Sequence, residues 1–204
     1  MRKKYSRFDL MSSAVMDNAG GLIHRLFESR HARLNVKVST YHLKRAQVFV
    51  GTINEIVEDE TDMILTVEML TEMLYKDFLR SIDEGTTLDM LSKWIRSVRV
   101  DETREQDLSI HHYLNQGKEL NIADIKRQLK SRHKKTEDFT YISVKIDKQH
   151  ILKGEVLLHD LHEAYPDLEL DVEEFLSLRF KDIILQVKSG NYEILKNIVN
   201  LVLY

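Results

Sequence analysis

The apolar positions of the chain follow a helical period along most of its length and alternate in two short segments. From Val67 and again from Val172, apolar side chains recur every three or four residues, which predicts two long amphipathic helices. In residues 34–43 and 139–146, Val, Ile, Thr and Tyr are concentrated and apolar residues alternate with polar ones, which predicts two strands. We therefore expect a mainly α protein of the α+β class.

Capping residues mark the limits of the two long helices. Thr66 and Asp171 each precede a Val-Glu pair, where a side-chain oxygen can accept a hydrogen bond from an unpaired N–H of the first turn. Gly85 and Gly190 lie where a left-handed residue would end each helix. Pro166 separates the second long helix from the helix before it.

An internal repeat accounts for the similarity of these helices. Residues 55–85 match residues 160–190 at a constant offset of 105, with eight identical positions and further exchanges of one apolar residue for another. The identical pairs are Glu58/Glu163, Asp62/Asp167, Leu65/Leu170, Val67/Val172, Glu68/Glu173, Lys76/Lys181, Asp77/Asp182 and Gly85/Gly190. The repeat predicts two diverged copies, residues 1–102 and 103–204.

The match extends outward with small changes of offset. Residues 22–31 correspond to 124–133, and 88–95 correspond to 192–199. Around Gly51 and Gly154 an offset of 103 fits better and requires a two-residue insertion. Each copy then has the order helix, strand, helix, longer helix, short helix.

One strand per copy cannot stand by itself, because its backbone donors and acceptors would lack partners. The two strands must pair with each other or with a partner chain, and the economical arrangement is a central antiparallel pair covered by the long helices of both copies. We therefore expect one interdependent, pseudo-twofold globular domain. Neither half should fold by itself.

Composition narrows the class of protein. The chain is 43% apolar and 31% charged with one proline, as in helical globular proteins. It has no cysteine, which excludes disulfides, thiolate metal sites and cysteine nucleophiles. The absence of a long apolar run argues against secretion and membrane spanning, so we expect a soluble, cytoplasmic protein.

Charge alternates in sign along the chain in four blocks. The net charges are +7 for residues 1–49, −9 for 50–92, +5 for 93–135 and −6 for 136–204. The densest basic cluster could attract nucleic acid, although it could equally be a solvated helix end. Its members are Lys126, Arg127, Lys130, Arg132, Lys134 and Lys135.

Two other patterns were considered for chemistry. Helices at 148–164 and 172–188 have the order of a helix-turn-helix, but the second begins with Asp171, Glu173 and Glu174, which would repel phosphates. The sequence also carries a candidate metal site in HDLHE, where His159 and His162 fall one turn apart and Glu163 neighbours His159. This is not the zincin signature, HExxH.

Serine and histidine recur together as Ser29-Arg30-His31 and Ser131-Arg132-His133. Neighbours two apart on a helix do not meet, so capping at a helix end is expected rather than a catalytic dyad. The sequence contains no cofactor fingerprint.

The preferred hypothesis is a non-enzymatic protein-interaction or regulatory protein whose partner is another protein or a second copy. A nucleic-acid-binding regulator is the alternative, and a metal-dependent enzyme is the third.

Overall fold

The computed structural model describes residues 4–12, 29–99 and 138–203. The first described part contains β1 (His31–Ser39), α1 (Thr40–Val57), α2 (Val67–Asp83) and α3 (residues 88–99). The second contains β2 (Phe139–Asp147), α4 (Lys148–Ala164), α5 (Val172–Lys188) and α6 (Tyr192–Leu203). These parts of the chain are mainly helical with one small sheet, as the pattern predicts.

The two strands pair with each other in an antiparallel sheet, as expected. The ladder runs from His31 opposite Asp147 to Ser39 opposite Phe139. The first strand was predicted at residues 34–43, and its end was wrong because Ser39 caps a helix: its hydroxyl accepts a hydrogen bond of 3.2 Å from the amide of His42. Residues 40–43 therefore form the first turn of α1.

The long helices begin and end as their capping residues predict. The side chain of Thr66 accepts from the amide of Met69 at the start of α2, and Asp171 forms a capping box with Glu174 at the start of α5. Gly85 and Gly190 have φ angles of 111° and 83°. Both helices end in the same pair of backbone hydrogen bonds. In α2, Gly85 N–H donates to the carbonyl of Ile82 and Thr86 N–H to that of Ser81. In α5, Gly190 N–H donates to the carbonyl of Val187 and Asn191 N–H to that of Gln186.

Each strand packs against the long helix of the other half of the chain. β1 contacts α5, and β2 contacts α2. The covered face of the sheet is apolar, with Leu34, Val36, Val144 and Ile146 fully buried. The central pairing predicted for the strands is therefore confirmed, together with cover from both long helices.

α2 and α4 meet at a point where a side chain larger than hydrogen does not fit. Tyr75 of α2 is buried and packs over Gly154 of α4. A Cβ atom at Gly154 would overlap the hydroxyl oxygen of Tyr75 and would lie 3.3 Å from a methyl carbon of Val172. Glycine at position 154 is thus a packing requirement.

The N-terminal residues 4–12 are bound to α4 through a buried carboxylate. Glu155 is fully buried and accepts hydrogen bonds from the hydroxyl of Ser6 and from the amides of Leu10 and Met11, the amide distances being 3.0 and 2.7 Å. The backbone carbonyl of Tyr5 also accepts a hydrogen bond of 2.9 Å from the amide of Val172. A buried carboxylate is tolerated here because several donors surround it.

The elements of the two described parts are separated by two different offsets. α2 and α5 start 105 residues apart, whereas β1 and β2, and α1 and α4, start 108 residues apart. The segment between α1 and α2 is longer than the segment between α4 and α5, which differs from the offset of 103 proposed around Gly51. The first helices proposed at 22–31 and 124–133 fall almost wholly outside the described residues, and Ser29–His31 lead into β1 rather than end a helix.

Candidate functional site

The face of the sheet opposite the long helices is exposed to solvent. Along β1 it presents the odd-numbered residues from His31 to Lys37, and along β2 those from Phe139 to Lys145. The alternation follows from the strand geometry, which sends successive side chains to opposite faces. We call these residues the open face. Its members are His31, Arg33, Asn35, Lys37, Phe139, Tyr141, Ser143 and Lys145.

Aromatic side chains lie at one end of the open face. Phe139 is 50% exposed and Tyr141 is 65% exposed, and both occupy the outward phase of β2. Lys37 stands directly opposite Tyr141, and its Nζ lies 4.2 Å from the centre of the Phe139 ring. The ammonium group is thus held over one ring and beside the other.

Basic side chains occupy the other end of the open face. Arg33 lies directly opposite Lys145, with the polar pair Asn35 and Ser143 between them and the aromatic rows. None of Arg33, Lys37 and Lys145 forms an ion pair with a described carboxylate.

Carboxylates are almost absent from the outward positions of the two strands. Among these nine-residue strands only Asp147 is acidic, and it is buried at the start of α4. Its side chain accepts from the amide of Gln149 at 2.9 Å and pairs with Arg30, and both contacts hold the pKa of Asp147 below its ordinary value. The open face is therefore basic in a chain whose net charge is −3.

A cleft adjoins the aromatic end of the open face. It has a volume of about 390 Å³ and shares Lys37 and Phe139 with the face. Arg99 and Lys181 line it as well, while Glu174 is its acidic residue. The basic surface thus continues past the end of the sheet.

The predicted basic cluster lies outside the described residues. Lys126, Arg127, Lys130, Arg132, Lys134 and Lys135 all fall between α3 and β2, in the part of the chain that the structure does not describe. Their proposed role in nucleic-acid binding stays a prediction.

The residues proposed for a metal site contact other protein groups. The ring of His159 lies 3.3 Å from the Tyr5 hydroxyl through Nδ1 and 3.4 Å from Glu163 through Nε2. His162 packs against the ring of Tyr5, and its Nδ1 is buried without a hydrogen-bond partner. Within residues 4–12, 29–99 and 138–203, no group of three or more His, Asp or Glu residues could hold a metal ion.

The recurring serine and histidine do not form a dyad in the first copy. The hydroxyl of Ser29 donates to the backbone carbonyl of His31, at 2.9 Å, and not to its ring. The second copy of the motif, residues 131–133, lies outside the described residues.

The open face does not stand out in the sequence, because its cations are isolated along the strands and the dense basic run lies elsewhere. The sequence feature that indicates it is the position of Phe139 and Tyr141 in the predicted strand. Both lie on the alternate positions that face solvent, where polar residues are expected. Aromatic side chains on the solvent phase of a strand suggest a binding surface. The facing cations of β1 could be placed only once the register was known.

Comparison of the chain with protein-family models, with curated proteins and with solved structures finds no match. No helix in the described parts of the chain has both the length and the apolar character needed to cross a membrane.

Proposed function

We propose that this chain is a non-enzymatic nucleic-acid-binding regulator whose recognition surface is the open face. The observation that carries the proposal is the joint exposure, on one face of the sheet, of two aromatic rings and three cations that form no ion pair with a described carboxylate. Lysine and arginine bind phosphates, and aromatic rings stack on bases. Nucleic-acid binding would use both the cations and the aromatic rings of the open face.

The overall charge of the chain makes a local basic surface necessary. At a net charge of −3 the protein as a whole does not attract a polyanion. α2 and α5 pack on the opposite side of the sheet, and of their acidic first-turn residues Glu174 lines the cleft beside Phe139. Arg33 and Lys145 lie at the other end of the open face, away from that carboxylate.

We also propose that the sheet was produced by an internal duplication and has pseudo-twofold symmetry. The ladder is centred on Asn35 opposite Ser143, two positions related by the offset of 108. The bonds that extend it follow the same offset: Thr40 N–H donates to Asp138 and Lys148 N–H donates to Arg30. The two copies have diverged on the open face, since the aromatic residues belong to β2 alone.

A protein partner is the second candidate, and the outer side of α1 favours it. Tyr41, Val48 and Ile56 lie seven and eight residues apart, which places them on one side of the helix, and Val48 is 73% exposed. An apolar stripe on a solvent-facing helix is typical of a surface that receives another protein.

Binding to labelled oligonucleotides over a series of salt concentrations tests the proposal. We expect the wild-type chain to bind and a variant with Arg33, Lys37 and Lys145 changed to Glu to lose binding. A matched variant changes Arg80, Lys188 and Lys196, which are also exposed and number one arginine and two lysines. Absence of binding by the wild type at low salt, or equal loss in both variants, would refute nucleic-acid recognition by this face.

A further inference from the structure

The spacing of the two exposed rings restricts the kind of nucleic acid that fits the open face. Phe139 and Tyr141 are two residues apart on one strand, so their side chains emerge roughly 7 Å from each other. Neighbouring bases in a duplex are stacked about 3.4 Å apart and are paired at their edges. Bases that lie on both rings must therefore be unpaired and unstacked from one another.

The cations flank the rings in a way that suits an extended backbone. Lys37 lies beside both rings, whereas Arg33 and Lys145 form a pair two rows further along the sheet. The intervening row, Asn35 and Ser143, offers hydrogen-bonding groups and no charge. A nucleic-acid strand that crosses the open face from its aromatic end would contact the two rings first. It would then reach the positive charges of Arg33 and Lys145.

The kind of side chain at the aromatic end of the open face also argues against a duplex. Direct reading of a duplex requires an element that enters a groove, and a two-stranded ribbon does so with side chains that reach base edges. Here the outward side chains at the aromatic end are rings that are wide and carry few donors. Ring faces recognise the faces of bases, which a duplex does not expose.

We infer that the open face binds single-stranded nucleic acid, with successive bases stacked on Phe139 and Tyr141 and phosphates bound by Lys37, Arg33 and Lys145. This inference rests on the proposed function and adds to it the strandedness of the ligand and the roles of the two rings.

The test compares single-stranded and duplex oligonucleotides of one sequence, each as RNA and as DNA, by fluorescence anisotropy with the full chain. We expect the wild type to bind the single strands more tightly than the duplexes. The difference in affinity between single-stranded RNA and single-stranded DNA identifies which of the two is the ligand. Changing Phe139 and Tyr141 together to Ser should weaken single-strand binding about a hundredfold, since each stacked base contributes roughly tenfold. Tyr141→Phe keeps the ring and should retain most of the affinity.

Controls separate loss of stacking from loss of fold. Ile64→Ser removes another exposed apolar side chain, 73% accessible and outside the sheet, and should leave binding unchanged. The thermal melts of all variants should coincide, because both rings are at least half exposed. For a neutral variant with Arg33, Lys37 and Lys145 changed to Gln, the slope of log affinity against log salt should fall by about 2, as expected for three phosphates of a single strand.

Two outcomes would overturn the inference, and they differ from each other. Equal affinity for single strands and duplexes, with no effect of the Ser substitutions but a strong effect of the charge variant, would leave nucleic-acid binding in place and remove base stacking. No binding of any oligonucleotide would remove both the inference and the proposed function.

Discussion

The hydroxyl of Tyr75 donates a hydrogen bond of 3.0 Å to the carbonyl oxygen of His150, and this bond joins α2 to α4. Tyr75 is fully buried, and burial raises its pKa above the usual range, so the phenol stays protonated and keeps its donor. The approach is possible because Gly154, one turn beyond His150, presents no side chain. The hydrogen bond and the glycine therefore form one packing unit.

Gly154→Ala should destabilise the protein, by about 1 to 3 kcal/mol, because the added methyl group overlaps the Tyr75 hydroxyl. Gly51→Ala in α1 is the matched control, since nothing lies within 4 Å of a Cβ atom there. That substitution should stabilise the protein by up to about 1 kcal/mol through helix propensity. Urea denaturation measures both, and equal signs for the two substitutions would contradict the packing description.

The hydroxyl itself can be tested with a double substitution. Tyr75→Phe should cost about 1 kcal/mol by itself, because it removes one buried hydrogen bond. In the Gly154→Ala background it should instead recover part of the loss, since the overlapping atom is gone. Additive losses in the double variant would show that the hydroxyl is not the obstacle.

Glu155→Ala should release the N-terminal segment from α4. The substitution leaves the Ser6 hydroxyl and the amides of Leu10 and Met11 without their acceptor, and we expect a loss of about 2 kcal/mol. Hydrogen exchange at the two amides should accelerate more than exchange in the sheet. Glu55→Ala, on the exposed side of α1, should change neither the stability nor the exchange rates. Slow exchange at the amides of Leu10 and Met11 in the Glu155→Ala variant would mean that other contacts hold the segment.

Asp147 should contribute stability that depends on pH. Its pKa is lowered in the folded protein by the amide of Gln149 and by Arg30, so its contribution is present above the ordinary value of 3.8 and is lost as the pH falls through the lower native value. Asp147→Asn keeps an N-cap and removes the charge, so it should destabilise the protein near neutral pH and become neutral in strong acid.

The fluorescence of Trp94, the only tryptophan, provides the measurement for Asp147. Its indole N–H donates to Asp182 at 3.0 Å and its ring packs on Phe175, so unfolding changes its environment. Asp62→Asn, at an exposed loop position, is the comparison. A destabilisation by Asp147→Asn that persists unchanged in strong acid would rule out the charge as its source.

Neither half of the chain, 1–102 or 103–204, should fold by itself. Each would lose the strand that pairs with its own strand and the long helix that covers it. Circular dichroism and gel filtration of the separate halves should show unfolded or aggregated material, and a mixture should recover helical signal. A monomeric half that melts cooperatively would contradict the interdependence of the two halves.

The sequence predicted those features that depend on local pattern. The caps at Thr66 and Asp171, the left-handed residues Gly85 and Gly190, and the buried stripe of α2 are each set by residues within a few positions. The antiparallel pairing was also predicted, because an isolated strand is physically unacceptable.

Three features were not predicted: the end of β1, the need for glycine at position 154, and the open face. The end of β1 at Ser39 was missed because Thr40 and Tyr41 favour strands in general, whereas the serine cap and the end of the ladder decide in favour of helix. The need for Gly154 follows from Tyr75, on another helix. The open face required the register, since only that places Lys37 against Tyr141 and Arg33 against Lys145.

The pairing of β1 with β2 has a consequence for the rate of folding. Paired residues are separated in sequence by 100 positions at Ser39 and Phe139 and by 116 positions at His31 and Asp147. A ladder between such distant segments forms only after a large loop-closure entropy has been overcome, so the helices should appear early and the sheet late. The protein should therefore fold more slowly than its helical content suggests, and during that delay its two strands expose apolar edges on which neighbouring chains can assemble.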